Sequence, residues 1–182
     1  MTQTVRIGFF GPSHVGKSTI VDYYAEVARE RDIPPYSATV GVRILEIDKA
    51  LVEPAETVSV QLWDISGDSS YEYLYNRIAG QLDGIVFVLP ATELNITSIA
   101  RRYFDLVTPN TKFATGNLAV AFAHNGPEQG SSLSFDDRVI SSLPVVRTSV
   151  DGGGAPLIEA IDELIHRACA AKIAADNNLL VI

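Results

Sequence analysis

Gly11-Pro12-Ser13-His14-Val15-Gly16-Lys17-Ser18 is the stretch on which the fold of this 182-residue chain turns. It runs glycine, four residues, glycine, lysine, serine, the pattern of a loop that cradles phosphate. Such a loop works only between a strand and a helix, and both neighbours read that way. Residues 5–10 form an apolar run of strand length, and within residues 19–31 Ile20, Tyr23, Tyr24 and Val27 recur at helical spacing. Without Cβ atoms at Gly11 and Gly16 the backbone can curl until the N–H groups from Ser13, His14, Val15 and Gly16 to Lys17, Ser18 and Thr19 face phosphate oxygens. The start of the helix adds partial positive charge. Lys17 is placed to reach the β- and γ-phosphates, and the Ser18 hydroxyl to ligate Mg²⁺, which takes oxygen ligands. The ordinary alternative is a chance glycine turn. At average residue usage the four fixed positions coincide in a chain this long on the order of 1% of the time.

Outward from the loop, Val42, Ile44 and Ile47 and then Val58, Val60 and Leu62 mark two alternating stretches joined by a polar connection with Pro54, a β-hairpin pattern. Residues 84–89 and 118–123 are unbroken apolar runs, and 145–147 a shorter one, as central parallel strands covered on both faces require. The last helix is marked by Leu157, Ile158, Ile161, Leu164, Ile165 and Ala168 on one face, with Pro156 in its first turn. The glycines at 152–154 are a turn rather than a linker. Strand–helix alternation with one early hairpin predicts an α/β fold over residues 1–182 as a single domain. Its sheet is expected to be mostly parallel and six-stranded, with one antiparallel edge strand and helices on both faces.

Composition narrows the partners. Apolar residues make up 47% of the chain, enough for one core without disulfides or metal. The formal net charge is -8, and no basic cluster interleaves with aromatics, which argues against nucleic acid. Cys169 stands alone and no secretory signal precedes residue 5, so a reducing cytoplasmic compartment is expected. The apolar runs are too short to cross a bilayer, which takes about 20 residues. Position 2 is Thr, and residues 177–182 hold no cysteine to prenylate, so no direct lipid anchor is expected.

The order Tyr36-Ser37-Ala38-Thr39-Val40-Gly41, followed by Leu62-Trp63-Asp64-Ile65-Ser66-Gly67, resembles the Ras-like small GTPases, the Rab and Arf branches above all. That resemblance implies the small G-protein form of the P-loop NTPase fold and binding of GTP or GDP with Mg²⁺. By it Thr39 is the switch threonine that completes the Mg²⁺ shell, and Asp64 holds the ion through water. The Gly67 N–H bonds the γ-phosphate, and Tyr36 can fold over the phosphates. Singly, each has a plainer explanation: Thr39 as a loop hydroxyl, Asp64 as a turn former at a strand end, Trp63 as core, Tyr36 as an exposed ring. Their order and spacing relative to Lys17 favour the joint reading. A nucleotide kinase would show lid arginines, and only Arg101-Arg102 cluster, within a helical pattern.

Two departures from the family pattern matter. Where active members place the glutamine that orients water, this chain has Asp68, so catalysis is expected to be impaired. Even glutamine-bearing members hydrolyse at only about 10⁻⁴ per second unaided. Where the family reads guanine with Asn-Lys-x-Asp, this chain has His124-Asn125-Gly126-Pro127. Losing the charge-assisted pair to the base forfeits about 1.5–3 kcal/mol, so binding should be weaker and less selective. Asn125 is either a base contact or a turn residue, and His14 either a phosphate contact or an exposed loop histidine. Thr148-Ser149-Val150 replaces the family's Ser-Ala, leaving the backbone of Ser149 and Val150 to face the guanine carbonyl.

The run Val42-Arg43-Ile44-Leu45-Glu46, the Asp68 variant, the degenerate loop at 124 and Ser132-Leu133-Ser134 together resemble the family of Rab-like GTPase subunits of the intraflagellar transport B complex. The likeness implies a component of cilium or flagellum assembly, at the cilium and its basal region, docked on a coiled-coil heterodimer of two larger transport subunits. Two classes of function stay open: a nucleotide-stabilised subunit of an assembly, and a switch whose partner binding depends on GTP versus GDP.

Overall fold

The computed structural model describes residues 3–27, 37–51, 57–90, 95–108, 118–123, 138, 141, 143–148 and 154–179. Among the described residues the chain forms six strands and four helices: β1 (Thr4–Phe10), α1 (Lys17–Tyr24), β2 (Val42–Ala50), β3 (Thr57–Ile65), a 3-10 turn (Ser69–Leu74) leading into α2 (Tyr75–Ala79), β4 (Gly84–Pro90), α3 (Ile96–Val107), β5 (Leu118–Ala123), β6 (Val145–Thr148) and α4 (Ala155–Leu179). The sheet is mixed, in the order β2-β3-β1-β4-β5-β6. β2 runs antiparallel to β3, and the pairs β1–β3, β1–β4, β4–β5 and β5–β6 are parallel.

Alternation along the central strands explains the two-sided core. Val5, Ile7 and Phe9 of β1 with Val86 and Val88 of β4 pack with Ile20 and Val21 of α1 and Leu157, Ile161 and Leu164 of α4. The opposite set, Phe10, Ile85, Phe87 and Leu89, packs with Ile78 of α2 and Ala100 and Tyr103 of α3. Each such aliphatic or aromatic side chain fully removed from water contributes about 1.5–3 kcal/mol.

Two local expectations give way. The first helix does not continue to residue 31 but stops at Tyr24. Glu26 takes φ 56°, its N–H reaches the Tyr23 carbonyl at 3.1 Å, and the Val27 N–H reaches the Asp22 carbonyl at 2.9 Å. That double closure is a Schellman cap, here with glutamate where glycine is usual, and it leaves Val27 exposed instead of packed. In the hairpin, Ile44 does not join Ile47 in one buried stripe: Leu45 and Ile47 pack towards the α1–α4 side, whereas Ile44 is exposed on the edge strand.

Candidate nucleotide site

The site lies where β1 and β3 end side by side. Phe9 pairs with Asp64, so the chain leaving β1 at Gly11 and the chain leaving β3 at Ser66 diverge from neighbouring points. Gly11 has φ 152°, and a Cβ there would lie 2.0 Å from the Val88 carbonyl oxygen; any side chain would collide with β4. The loop then rises through His14, exposed and at φ 66°, to Gly16 and the start of α1. A left-handed conformation costs a non-glycine residue about 1–2 kcal/mol, and strain of this kind collects at ligand sites.

Lys17 is buried, and its Nζ donates to the carbonyls of Gly11 at 2.9 Å and Pro12 at 2.6 Å. Burial pushes the ammonium down to about 8, against the pull of the Asp64 carboxylate, which raises it. Gly67 presses on the same point, since a Cβ there would fall 2.5 Å from Lys17 Nζ and from Ser13 N. The second loop therefore sits directly on the first, with only a glycine able to fit.

Beside the lysine, Ser18 Oγ and Thr39 Oγ1 are 3.0 Å apart, and Thr39 Oγ1 donates to Asp64 Oδ2 at 3.2 Å. Asp64 is wholly buried, and its Oδ1 has no hydrogen-bond partner among the described residues. A buried carboxylate oxygen left without a donor is costly, and two hydroxyls and a carboxylate are the hard oxygen donors that Mg²⁺ takes. The donor set fits the ion.

Sequence reasoning missed Arg43 and Asp22. Arg43 Nη2 pairs with Asp22 Oδ1 at 2.9 Å and with Asp64 Oδ2 at 3.2 Å. No local pattern signals this pair; it follows from the hairpin register, which sets Arg43 opposite Asp64. Asp68 is exposed and serves its own turn: its side chain accepts from Ser70 N at 2.8 Å, capping the 3-10 segment, and its N donates to Ser66 Oγ at 3.3 Å. The Ser70 backbone bond holds its carboxyl below the usual carboxylate range. Tyr75 anchors this segment by donating from its hydroxyl to the Ser66 carbonyl at 2.6 Å. Ser13, Val15, Gly16 and Thr19 lie along the loop and the first turn of α1. Tyr36, Asn125, Ser149 and Val150 lie outside the described residues.

A glycine-rich loop of phosphate-binding pattern between the first parallel strand and the first helix, with a strand-end aspartate and the Thr39 hydroxyl beside it, defines a P-loop domain of the small-GTPase class. Residues 6–114 match the family model of Roc, the Ras of Complex domain of DAP kinase. Intraflagellar transport protein 22 of Trypanosoma brucei brucei is 27% identical over 97% of this chain and 91% of its own length. The mouse intraflagellar transport protein 22 homolog is 33% identical over 69% of this chain and 67% of its own. Among solved structures, the GTP-bound crystal structure of T. brucei IFT22/74/81 is 26% identical with a TM-score of 0.72, covering 95% of this chain and 99% of that one. The chain belongs to the Roc family and to the intraflagellar transport protein 22 family.

Proposed function

We propose that this chain is the Rab-like, GTP- and GDP-binding subunit of an intraflagellar transport assembly, stabilised by nucleotide and very slow to hydrolyse it. The single observation that carries the reading is a buried Lys17 lying near an Asp64 whose Oδ1 has no hydrogen-bond partner among the described residues, at the mouth of β1. A buried cation held only by loop carbonyls, beside a buried carboxylate with one oxygen short of a donor, is what a polyphosphate with its divalent cation would satisfy. The reading takes the whole chain as one small G domain of the P-loop NTPase class, built on a mostly parallel six-stranded sheet.

In it, backbone N–H groups from Ser13 to Thr19 bind the phosphate tail, Lys17 turns from its loop carbonyls to the phosphates, and the Gly67 N–H holds the terminal phosphate. Ser18, Thr39 and Asp64 hold Mg²⁺, which when bound neutralises charge on the β- and γ-phosphates. Tyr36 closes over the phosphates, and Asn125, Ser149 and Val150 meet the base. Asp68, engaged with Ser70, offers no amide to orient water. Single-turnover hydrolysis is therefore expected below about 10⁻⁴ per second; a rate above that of ordinary glutamine-bearing members would contradict it. With Pro127 in place of the base-reading aspartate, the preference for guanine should be about ten- to hundred-fold lower than in members that keep it, so ATP should compete with labelled GTP more readily. Equal displacement by the two nucleotides would remove guanine from the reading.

The partner proposed is a coiled-coil heterodimer of larger transport subunits, and the place of action is the cytoplasm, the cilium or flagellum and its basal region. Support comes from the likeness to the T. brucei IFT22/74/81 structure. Among the described residues, no helix is long and apolar enough to cross a membrane. The alternative is a switch whose partner affinity depends on GTP versus GDP, and the 3.0 Å approach of Thr39 to Ser18 favours it, since a γ-phosphate would bear on that contact. Partner affinity measured with GTP, GDP and no nucleotide separates the two. Equal affinity with either nucleotide and loss without one supports the stabilised subunit; a tenfold preference for GTP supports the switch.

A further inference from the structure

Arg43 is the one described cation, besides Lys17, that bears on Asp64. Three elements bring it there. The β2–β3 register sets it opposite Asp64, α1 supplies Asp22 four residues after Ser18 on the same helical face, and β3 supplies Asp64 itself. One guanidinium nitrogen lies within ion-pair distance of both carboxylates, at 2.9 Å from Asp22 and 3.2 Å from Asp64, without hydrogen-bond geometry to either. The Asp64 side chain is 0% exposed and the Arg43 side chain 40%, so the charge reaches from the surface onto a buried anion. The same Oδ2 that faces Arg43 also accepts from Thr39, while Oδ1 has no hydrogen-bond partner among the described residues. The two oxygens of Asp64 are thus divided, one held by protein and one left over.

An uncompensated carboxylate beside a polyphosphate repels it, and in most such sites a divalent cation screens the two. Here a tethered guanidinium already sits on that carboxylate. We infer that Arg43 is a positioning residue for nucleotide: it fixes Asp64 and Thr39 against the first helix and makes binding less dependent on Mg²⁺ than the carboxylate alone would. The inference rests on the nucleotide-binding reading above. Lysine would keep the charge but as a compact, strongly hydrated ammonium that is costlier to hold between two carboxylates than a guanidinium nitrogen.

The test is a fluorescence titration of labelled GDP into the full chain, with Mg²⁺ and again with EDTA, for wild type, Arg43→Met and Arg43→Lys, with circular dichroism to confirm folding. The ratio of affinities with and without Mg²⁺ is expected to rise roughly tenfold in Arg43→Met and roughly threefold in Arg43→Lys. A simple loss of structure would weaken both arms together and leave the ratio alone. An unchanged ratio in the folded variants overturns the inference and leaves nucleotide binding standing. Should Arg43→Met not fold, the ratio for Arg43→Lys decides in the same way. No binding by wild type in either arm overturns both the inference and the reading beneath it.

Discussion

The two ends of β1 carry polar clusters of similar size and opposite character. At its start, Asp83 accepts from Arg6 N at 2.9 Å, Asp83 N donates to the Arg6 carbonyl at 2.8 Å, and Lys172 on α4 donates to the Thr4 carbonyl at 2.7 Å and to Asp83 Oδ2 at 3.1 Å. Both charges there face each other and the backbone, and the clasp ties the last helix to the first strand. At its end, the charges are buried instead. Lys17 is pushed down to about 8 by burial, Asp64 keeps one oxygen without a hydrogen-bond partner among the described residues, and His14 is held left-handed. The difference separates a cluster that completes the fold from one that a ligand completes, because strain and unmet polar capacity persist only where something else offsets them.

The contrast breaks most visibly at the two lysines. Lys17→Ala should lower GTP affinity at least about a hundredfold, since it removes a charge-assisted contact from a water-poor site. Lys172→Ala should leave that affinity unchanged and cost about 1 kcal/mol of stability. Titration with labelled nucleotide and urea denaturation of both variants check this, and equal losses of affinity would erase the distinction.

A smaller effect comes with pH. Phosphate raises the lysine's proton affinity above the value of about 8 that burial imposes, so binding is coupled to proton uptake. The Lys17 contribution is complete below pH 8 and declines as pH rises towards the higher value of the bound state. Affinity should therefore fall up to roughly tenfold per unit above pH 8; a flat profile to pH 9.5 would contradict the assignment.

Smallest is the effect of strain that no ligand answers. Glu26→Gly relieves the left-handed cap of α1, away from the phosphate groups, and should raise stability by about 1 kcal/mol in urea denaturation with affinity unaltered.

The phosphate loop was legible in the sequence because its chemistry is local: two glycines, a lysine and a serine at fixed spacing between a strand and a helix. The hairpin and the central strands were legible from period-two and unbroken apolar patterns. Arg43 was not, since its role appears only when the β2–β3 register brings it across from Asp64, a contact 21 residues away in the chain. The end of α1 escaped because Glu26 performs a turn that glycine ordinarily signals, and Val27 continued the helical spacing by coincidence. Asp68 stands out in the sequence as a departure from the glutamine pattern, but its work as a cap depends on the fold of the 3-10 segment that follows.

The most direct test of the account is isothermal calorimetry of the folded chain with GTP and GDP in the presence of Mg²⁺. Saturable uptake of one nucleotide per chain, abolished by Lys17→Ala, is the result predicted. Well-folded protein that takes up neither nucleotide would contradict it.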